Sequence, residues 1–179
     1  RDSNSRWAQG GIVTLGDDDS VDLLISDILA AGAGLSLPAA ARILAEEGPS
    51  LVDEVLIKGV QVAFDRDPQG KLVHGREAAH SQPRILHVGD ATGAAIIDRM
   101  LAALRDLAEY QERQGALDLA ERTARRLLDL DPLDEPAYRQ IMRALFVRGQ
   151  SAAALQQYEA LHRSLAQELQ IAPDDLTAA

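Results

Sequence analysis

The chain contains no cysteine among its 179 residues, which excludes disulfides, thiol catalysis and thiolate metal sites together and fits a reducing interior. Aromatic residues make up only 3%, so any core must be built from Leu, Ile, Val and Ala, which suits helices packed at close range. Glycine is scarce in one half: eleven of the thirteen lie before residue 100, and only Gly115 and Gly149 follow. A loop-rich half therefore gives way to a helix-rich half. No apolar run approaches the length of a membrane span and no signal peptide opens the sequence, so a cytoplasmic location and no membrane partner are expected. Positive charge is also in deficit. The net charge is −10, with 9 basic against 15 acidic residues up to position 100 and 9 against 13 after it. Phosphate would be repelled by either half, which argues against direct nucleic-acid binding. The densest basic cluster, Arg122, Arg125 and Arg126, is interleaved with Glu121 and Asp129 and reads as a solvated helix face. Residue 1 is Arg rather than Met, which reads as part of a longer product or a trimmed one.

What is present begins with "SNSRWAQGGIV", Ser3 to Val13, where Trp7 and Gln9 precede two adjacent glycines. Two readings stand: a turn before a short strand, or a backbone freed to approach a ligand. "DSVDLLISDILAAG" then offers Ser20 as an N-cap, apolar Val21, Leu24, Ile25, Ile28 and Leu29 at helical spacing, and Gly32 as a stop. "SLPAAARILAEEG" repeats that grammar from Pro38 to Gly48, and "PSLVDEVLIKG" repeats it from Pro49 to Gly59, so three short helices are predicted. The period then changes. Val60 to Phe64 and Lys71 to His74 flank the turn residues Pro68 and Gly70 and predict a small hairpin. Asp90 or Thr92 can cap a further helix that contains no proline or glycine from "DRMLAALRDLAEYQERQ" to about Gln114.

Gly115 and Gly149 stand 34 residues apart, each in a short polar turn between helical patterns, which is the period of tetratricopeptide-like helix pairs. Ala120 and Ala154 share a register and supply small residues where paired helices come close. Pro132 and Pro136 mark the second pair. Tyr138, Ile141, Met142, Leu145 and Phe146 form the face of its first helix, and Ala152, Leu155, Tyr158, Leu161 and Leu165 that of its second. So short an array leaves apolar surface for a protein partner or a second copy to cover, with Tyr110, Tyr138 and Phe146 as candidate anchors. Burial in the core is the competing reading, and for Phe146 it is the favoured one.

Other chemistry is set aside. His74, His80 and His87 surround Glu77, but neither helical ligand spacing nor HExxH appears, and no metal site is expected. Ser81, His80 and Asp90 lack a nucleophile elbow. Asp17, Asp18 and Asp19 lack the alternation of a calcium loop, and a capped helix start explains them better.

Three phrases in order and spacing carry a resemblance: "SNSRWAQGGIV", "DSVDLLISDILAAGAGL" and "GREAAHSQPRILHVGDATG". Residues 3–100 resemble an internal piece of the L-aspartate oxidases, flavoenzymes of the succinate dehydrogenase and fumarate reductase family. The resemblance implies that Asn4, Ser5, Arg6, Trp7, Ala8, Gln9, Gly10 and Gly11 wrap FAD, and that Glu77 helps orient the substrate amino acid. It implies oxidation of L-aspartate to iminoaspartate, with FAD taking the hydride, in NAD biosynthesis. Departures are specific. Leu24 and Ile28 stand where the family has His and Thr, and Ala78 and Ala79 stand where it has two glycines. The Gly-rich dinucleotide fingerprint and the capping domain with the catalytic arginine and histidines are not in the sequence. FAD binding is therefore expected to be weak or absent, without turnover by the chain alone.

From residue 101 the run "LDPLDEPAYRQIMRAL", then "ALQQYEALHRSLAQEL" and "IAPDD", resembles the bacterial transcriptional activator domain, which implies protein interaction and regulation without catalysis. The expected architecture is mainly α. It comprises a partial FAD-binding segment over 1–100, with helices and a small β hairpin, then antiparallel tetratricopeptide-like helix pairs over 101–179.

Overall fold

A computed structural model describes residues 4–178, which divide into two units meeting at residues 99 and 100. In residues 4–99, β1 (Ile12–Val13) leads to α1 (Val21–Ala31), whose start is fixed as expected: the Ser20 hydroxyl accepts the Leu23 N–H. Gly32 ends it, and Pro38 opens α2 (Pro38–Leu51) in its first turn.

The predicted break at Gly48 and Pro49 does not occur. α2 passes through both residues and continues as π-helical turns over Val52–Gly59. Pro49 has no N–H to offer the Ala45 carbonyl, which is the usual cost of proline inside a helix. The apolar stripe decides otherwise: Ala41, Ala45, Val52 and Leu56 are all buried and recur at helical spacing, so one unbroken face meets the core. The Val52 N–H reaches the Gly48 and Pro49 carbonyls, and the Ser50 hydroxyl donates to the Glu47 carbonyl.

The turn at Pro68 and Gly70 forms where expected, but the strands beside it differ. Only Arg66 and Leu72 make a ladder pair there, and the Asp67 carboxylate organises the turn by accepting the Gln69 and Lys71 N–H groups. Val60 to Phe64 is irregular, although Val62 and Phe64 still point inward. The sheet is built elsewhere. β2 (His74–Gly75) and β1 flank β3 (Ile85–Leu86), both antiparallel to it, with Ile12 and His74 opposite Leu86 and Val13 and Gly75 opposite Ile85. β3 is fully buried, and while β2 reaches it across the loop 76–84, β1 comes from the far end of the unit, which local periodicity does not reveal. Val52, Leu56, Val62, Phe64 and Leu86 form the core of this unit.

α3 (Thr92–Arg113) runs without interruption through residues 99–103. Thr92 opens it, but its hydroxyl reaches back to accept the Val88 N–H. α4 (Leu117–Leu130), α5 (Glu135–Val147) and α6 (Ser151–Glu168) follow, with a short α7 (Asp175–Ala178). Gly115 and Gly149 have nearly the same left-handed backbone, φ 73 and φ 74, at equivalent turns of the repeat. Ala124, Leu127, Ala137, Ile141 and Leu145 form one core cluster, and Tyr138, Leu161 and Leu165 a second. Asp134 caps α5 through the Ala137 N–H, and its other oxygen takes the Arg105 guanidinium at 2.5 Å. The molecule is mainly α with a small antiparallel sheet. Among the described residues no helix is long and apolar enough to cross a membrane.

Candidate functional site

The segment 4–11 is held from three sides, all within residues 4–99. The Gly93 N–H, in the first turn of α3, donates to the Ala8 carbonyl at 2.9 Å. Gly93 packs so closely that a Cβ there would lie 1.9 Å from the Ser5 carbonyl oxygen. Arg6 pairs with Asp98 on α3 at 2.6 Å. Asn4, Ser5, Trp7, Ala8, Gln9 and Gly10 are left exposed, Trp7 by 70%.

The third hold is a carboxylate. The Gly11 N–H donates to Glu77 Oε1 at 3.3 Å, and His87 Nε2 meets the same oxygen at 2.8 Å. Two positions 66 residues apart in sequence thus touch, and both belong to phrases that carry the oxidase resemblance. The His87 hydrogen bond, then that from Gly11, holds the Glu77 carboxyl below the usual carboxylate range, with the charges of His87 and His80 acting in the same direction. The paired glycines take different roles. A Cβ on Gly11 would lie 2.3 Å from both Ile85 Cγ2 and the Leu86 carbonyl oxygen, so its bareness serves packing on β3. Gly10 instead faces the Glu77 carboxylate.

Glu77 stands on an irregular loop in which Ala79 adopts φ 68, the left-handed conformation that glycine favours. At Ala79, one of the two departures from glycine, alanine thus holds a backbone that glycine would adopt more freely. Leu24, at the other departure, is buried in the unit.

Sequence reasoning missed Arg84. Its side chain is fully buried between β3 and α1, paired with Asp19 at 2.7 Å and Asp27 at 2.9 Å. Asp19 therefore does more than favour a helix start. The one available signal was a cation preceding the apolar "ILHV", since a charge carried into a buried strand needs partners. Asp27 also accepts the backbone N–H and hydroxyl of Ser81, and the backbone bond leads in holding its carboxyl below the usual range. Ser81 is thereby engaged with Asp27 rather than with His80 or Asp90. Asp17 pairs with Lys71 beside a cavity of about 280 Å3 that also meets Asp18 and His74. Among the described residues no group of His, Asp and Glu is arranged to hold a metal ion.

In residues 100–178, Tyr138 is buried, and burial pushes its phenol up. It is thus unavailable as an anchor. Phe146, favoured for the core, is instead 68% exposed, and Leu155 is 58% exposed, because α5 and α6 turn Ile141, Leu145, Leu161 and Leu165 inward. Tyr110 is also exposed.

Comparison with known proteins supports both resemblances. The chain is 44% identical over 106 residues to an L-aspartate oxidase of Agrobacterium fabrum, covering 58% of this chain and 20% of that protein. It is 42% identical over 127 residues to an L-aspartate oxidase of Caulobacter vibrioides, covering 70% of this chain and 23% of that one. The chain thus spans about a fifth of the length of these curated relatives. Among solved structures it is similar to Mycobacterium smegmatis Sdh1 in complex with UQ1, with a TM-score of 0.58 at 27% identity over 64% of this chain and 19% of that one. The apo form of that Sdh1 complex gives a TM-score of 0.57 at 28% identity, over 62% of this chain and 19% of that one. Residues 74–179, from β2 through the helical unit, match the bacterial transcriptional activator domain, and the chain belongs to that family.

Proposed function

We propose that residues 4–99 are an L-aspartate-oxidase-type segment presenting one wall of a flavin and amino-acid site, and that residues 100–178 are a protein-interaction unit. The observation that carries the first part is the contact of Gly11 and Glu77, which brings the segment assigned to FAD against the carboxylate assigned to the substrate. The residues suit such a wall: Trp7 offers an exposed ring, and Asn4, Ser5 and Gln9 offer exposed polar groups. Bound FAD would supply hydride acceptance, and these side chains would orient it.

The Gly-rich turn that would cradle a pyrophosphate is not among the motifs of this sequence. The Gly93 N–H at the start of α3 is taken by the Ala8 carbonyl and the Leu23 N–H at the start of α1 by the Ser20 hydroxyl, which reduces what either helix start offers a pyrophosphate. Flavin binding by this chain is accordingly weak, and turnover of L-aspartate by the chain alone is not expected. Trp7 is the only tryptophan, so its quenching in an FAD titration reads this wall directly. Saturable quenching in the high-micromolar range or weaker is expected. No quenching would overturn the wall, and stoichiometric copurified FAD would overturn its weakness.

The second part rests on the exposed Phe146, Leu155 and Tyr110, which lie within the stretch that matches the bacterial transcriptional activator domain. A protein partner or a second copy covers them in this reading. Light scattering on the full chain and pull-down with Tyr110→Ala as the comparison test it: a strict monomer capturing nothing overturns it.

A further inference from the structure

We infer that His87 is a positioning residue for Glu77, clamping one carboxylate oxygen so that the carboxylate keeps a single orientation beside Gly10 and Gly11 at segment 4–11; this rests on the wall proposed above.

The argument begins with the slot that holds the imidazole. His87 follows β3, whose neighbours on either side are β1 and β2. A Cβ on Gly75, in β2, would lie 2.8 Å from His87 Cε1 and 3.2 Å from Nδ1. A Cβ on Gly11, just before β1, would lie 3.0 Å from Cδ2. The ring is thus closely approached by two glycines from opposite neighbours of the central strand, and any side chain at either would crowd it. The backbone is fixed as well, since the His87 carbonyl accepts the Asp65 N–H at 2.8 Å.

From that slot Nε2 reaches Glu77 Oε1 at 2.8 Å. An ionised carboxylate only accepts, so the proton must lie on Nε2, and the partner sets the tautomer. Oε1 also takes the Gly11 N–H. Both carboxylate oxygens lie beside Gly10, Oε1 3.7 Å and Oε2 3.8 Å from where a Cβ of that residue would stand, at the exposed surface of segment 4–11. Glu77 sits on a loop without regular structure and its side chain is 45% exposed, so without a clamp it would sample several rotamers. His80, in the same loop, is the other titratable group whose charge acts on it.

The test follows the Glu77 carboxyl by NMR titration in the full chain, in the wild type, His87→Ala and His87→Gln. The wild-type carboxyl should titrate below the usual glutamate range, and His87→Ala should move it up toward that range. His87→Gln, whose amide N–H reaches the place of Nε2, should restore much of the depression, which a ring needed only for packing would not do. If His87→Ala loses the amide dispersion of residues 4–99, His87→Asn, polar but too short to reach, replaces it. Identical titration in the wild type and the short variant, or no rescue by glutamine, overturns the assignment. The readout needs no flavin, so failure of Trp7 quenching would defeat the wall while leaving the clamp measurable.

Discussion

In residues 4–99 the defining contacts join positions far apart in sequence: Gly11 with Glu77, Asp19 with Arg84, Arg6 with Asp98. In residues 100–178 most join successive helices through small residues, with Ala124, Ala137 and Ala144 buried where α4, α5 and α6 meet. The first arrangement depends on a few polar ties and on glycines that let backbones approach. The second spreads its stability over repeated apolar contacts, as helical repeats do. One unit is therefore vulnerable at single points, and the other loses stability by increments.

The sharpest way to break this contrast is Arg84→Ala. It strands Asp19, whose side chain is fully buried, and should cost about 3–5 kcal/mol, since removing one partner leaves an uncompensated buried charge. Hydrogen exchange should show the loss in peptides from residues 4–99, and a cost under about 1 kcal/mol would show that the pair is dispensable. Ala124→Leu tests the other unit. Ala124 is wholly buried, and overpacking should cost about 1–3 kcal/mol, measured by urea denaturation and by exchange in α4 and α5. A neutral result would mean that the helices separate freely enough to admit a larger side chain. The smallest effect has the opposite sign. Ala79→Gly should stabilise by roughly 0.5–1 kcal/mol, because glycine adopts the left-handed backbone that alanine now strains to hold. Destabilisation in a thermal melt would show that flexibility of the Glu77 loop outweighs the relief.

Much of the local structure was legible in the sequence. Ser20 caps α1 as its position suggested, Pro38 opens α2, and Gly115 and Gly149 turn the chain between helices. Such signals act within a few residues of the backbone groups they satisfy. Gly48 and Pro49 misled because their local preference was weighed without the face that Val52 and Leu56 bury. Phe146 misled because helical spacing identifies a stripe but not its edge, and the neighbours of α5 cover Ile141 and Leu145 while leaving Phe146 in water. At the candidate site the sequence supplied segment 4–11 and Glu77 by resemblance. His87, set aside in the sequence as a metal ligand, gained a partner only where the chain brought it to Glu77.

By itself, then, the sequence determined where helices begin, where the repeat turns, and that a chain so poor in aromatics is mainly α, because capping, turn chemistry and helical periodicity are short-range. Tertiary structure alone decided that Ile85–Leu86 takes strands on both sides, that Arg84 is buried between two aspartates, and that His87 lies in a glycine slot against Glu77. Those outcomes depend on which distant segments meet. A buried charge or a close backbone approach gains its meaning only from the groups that surround it after folding.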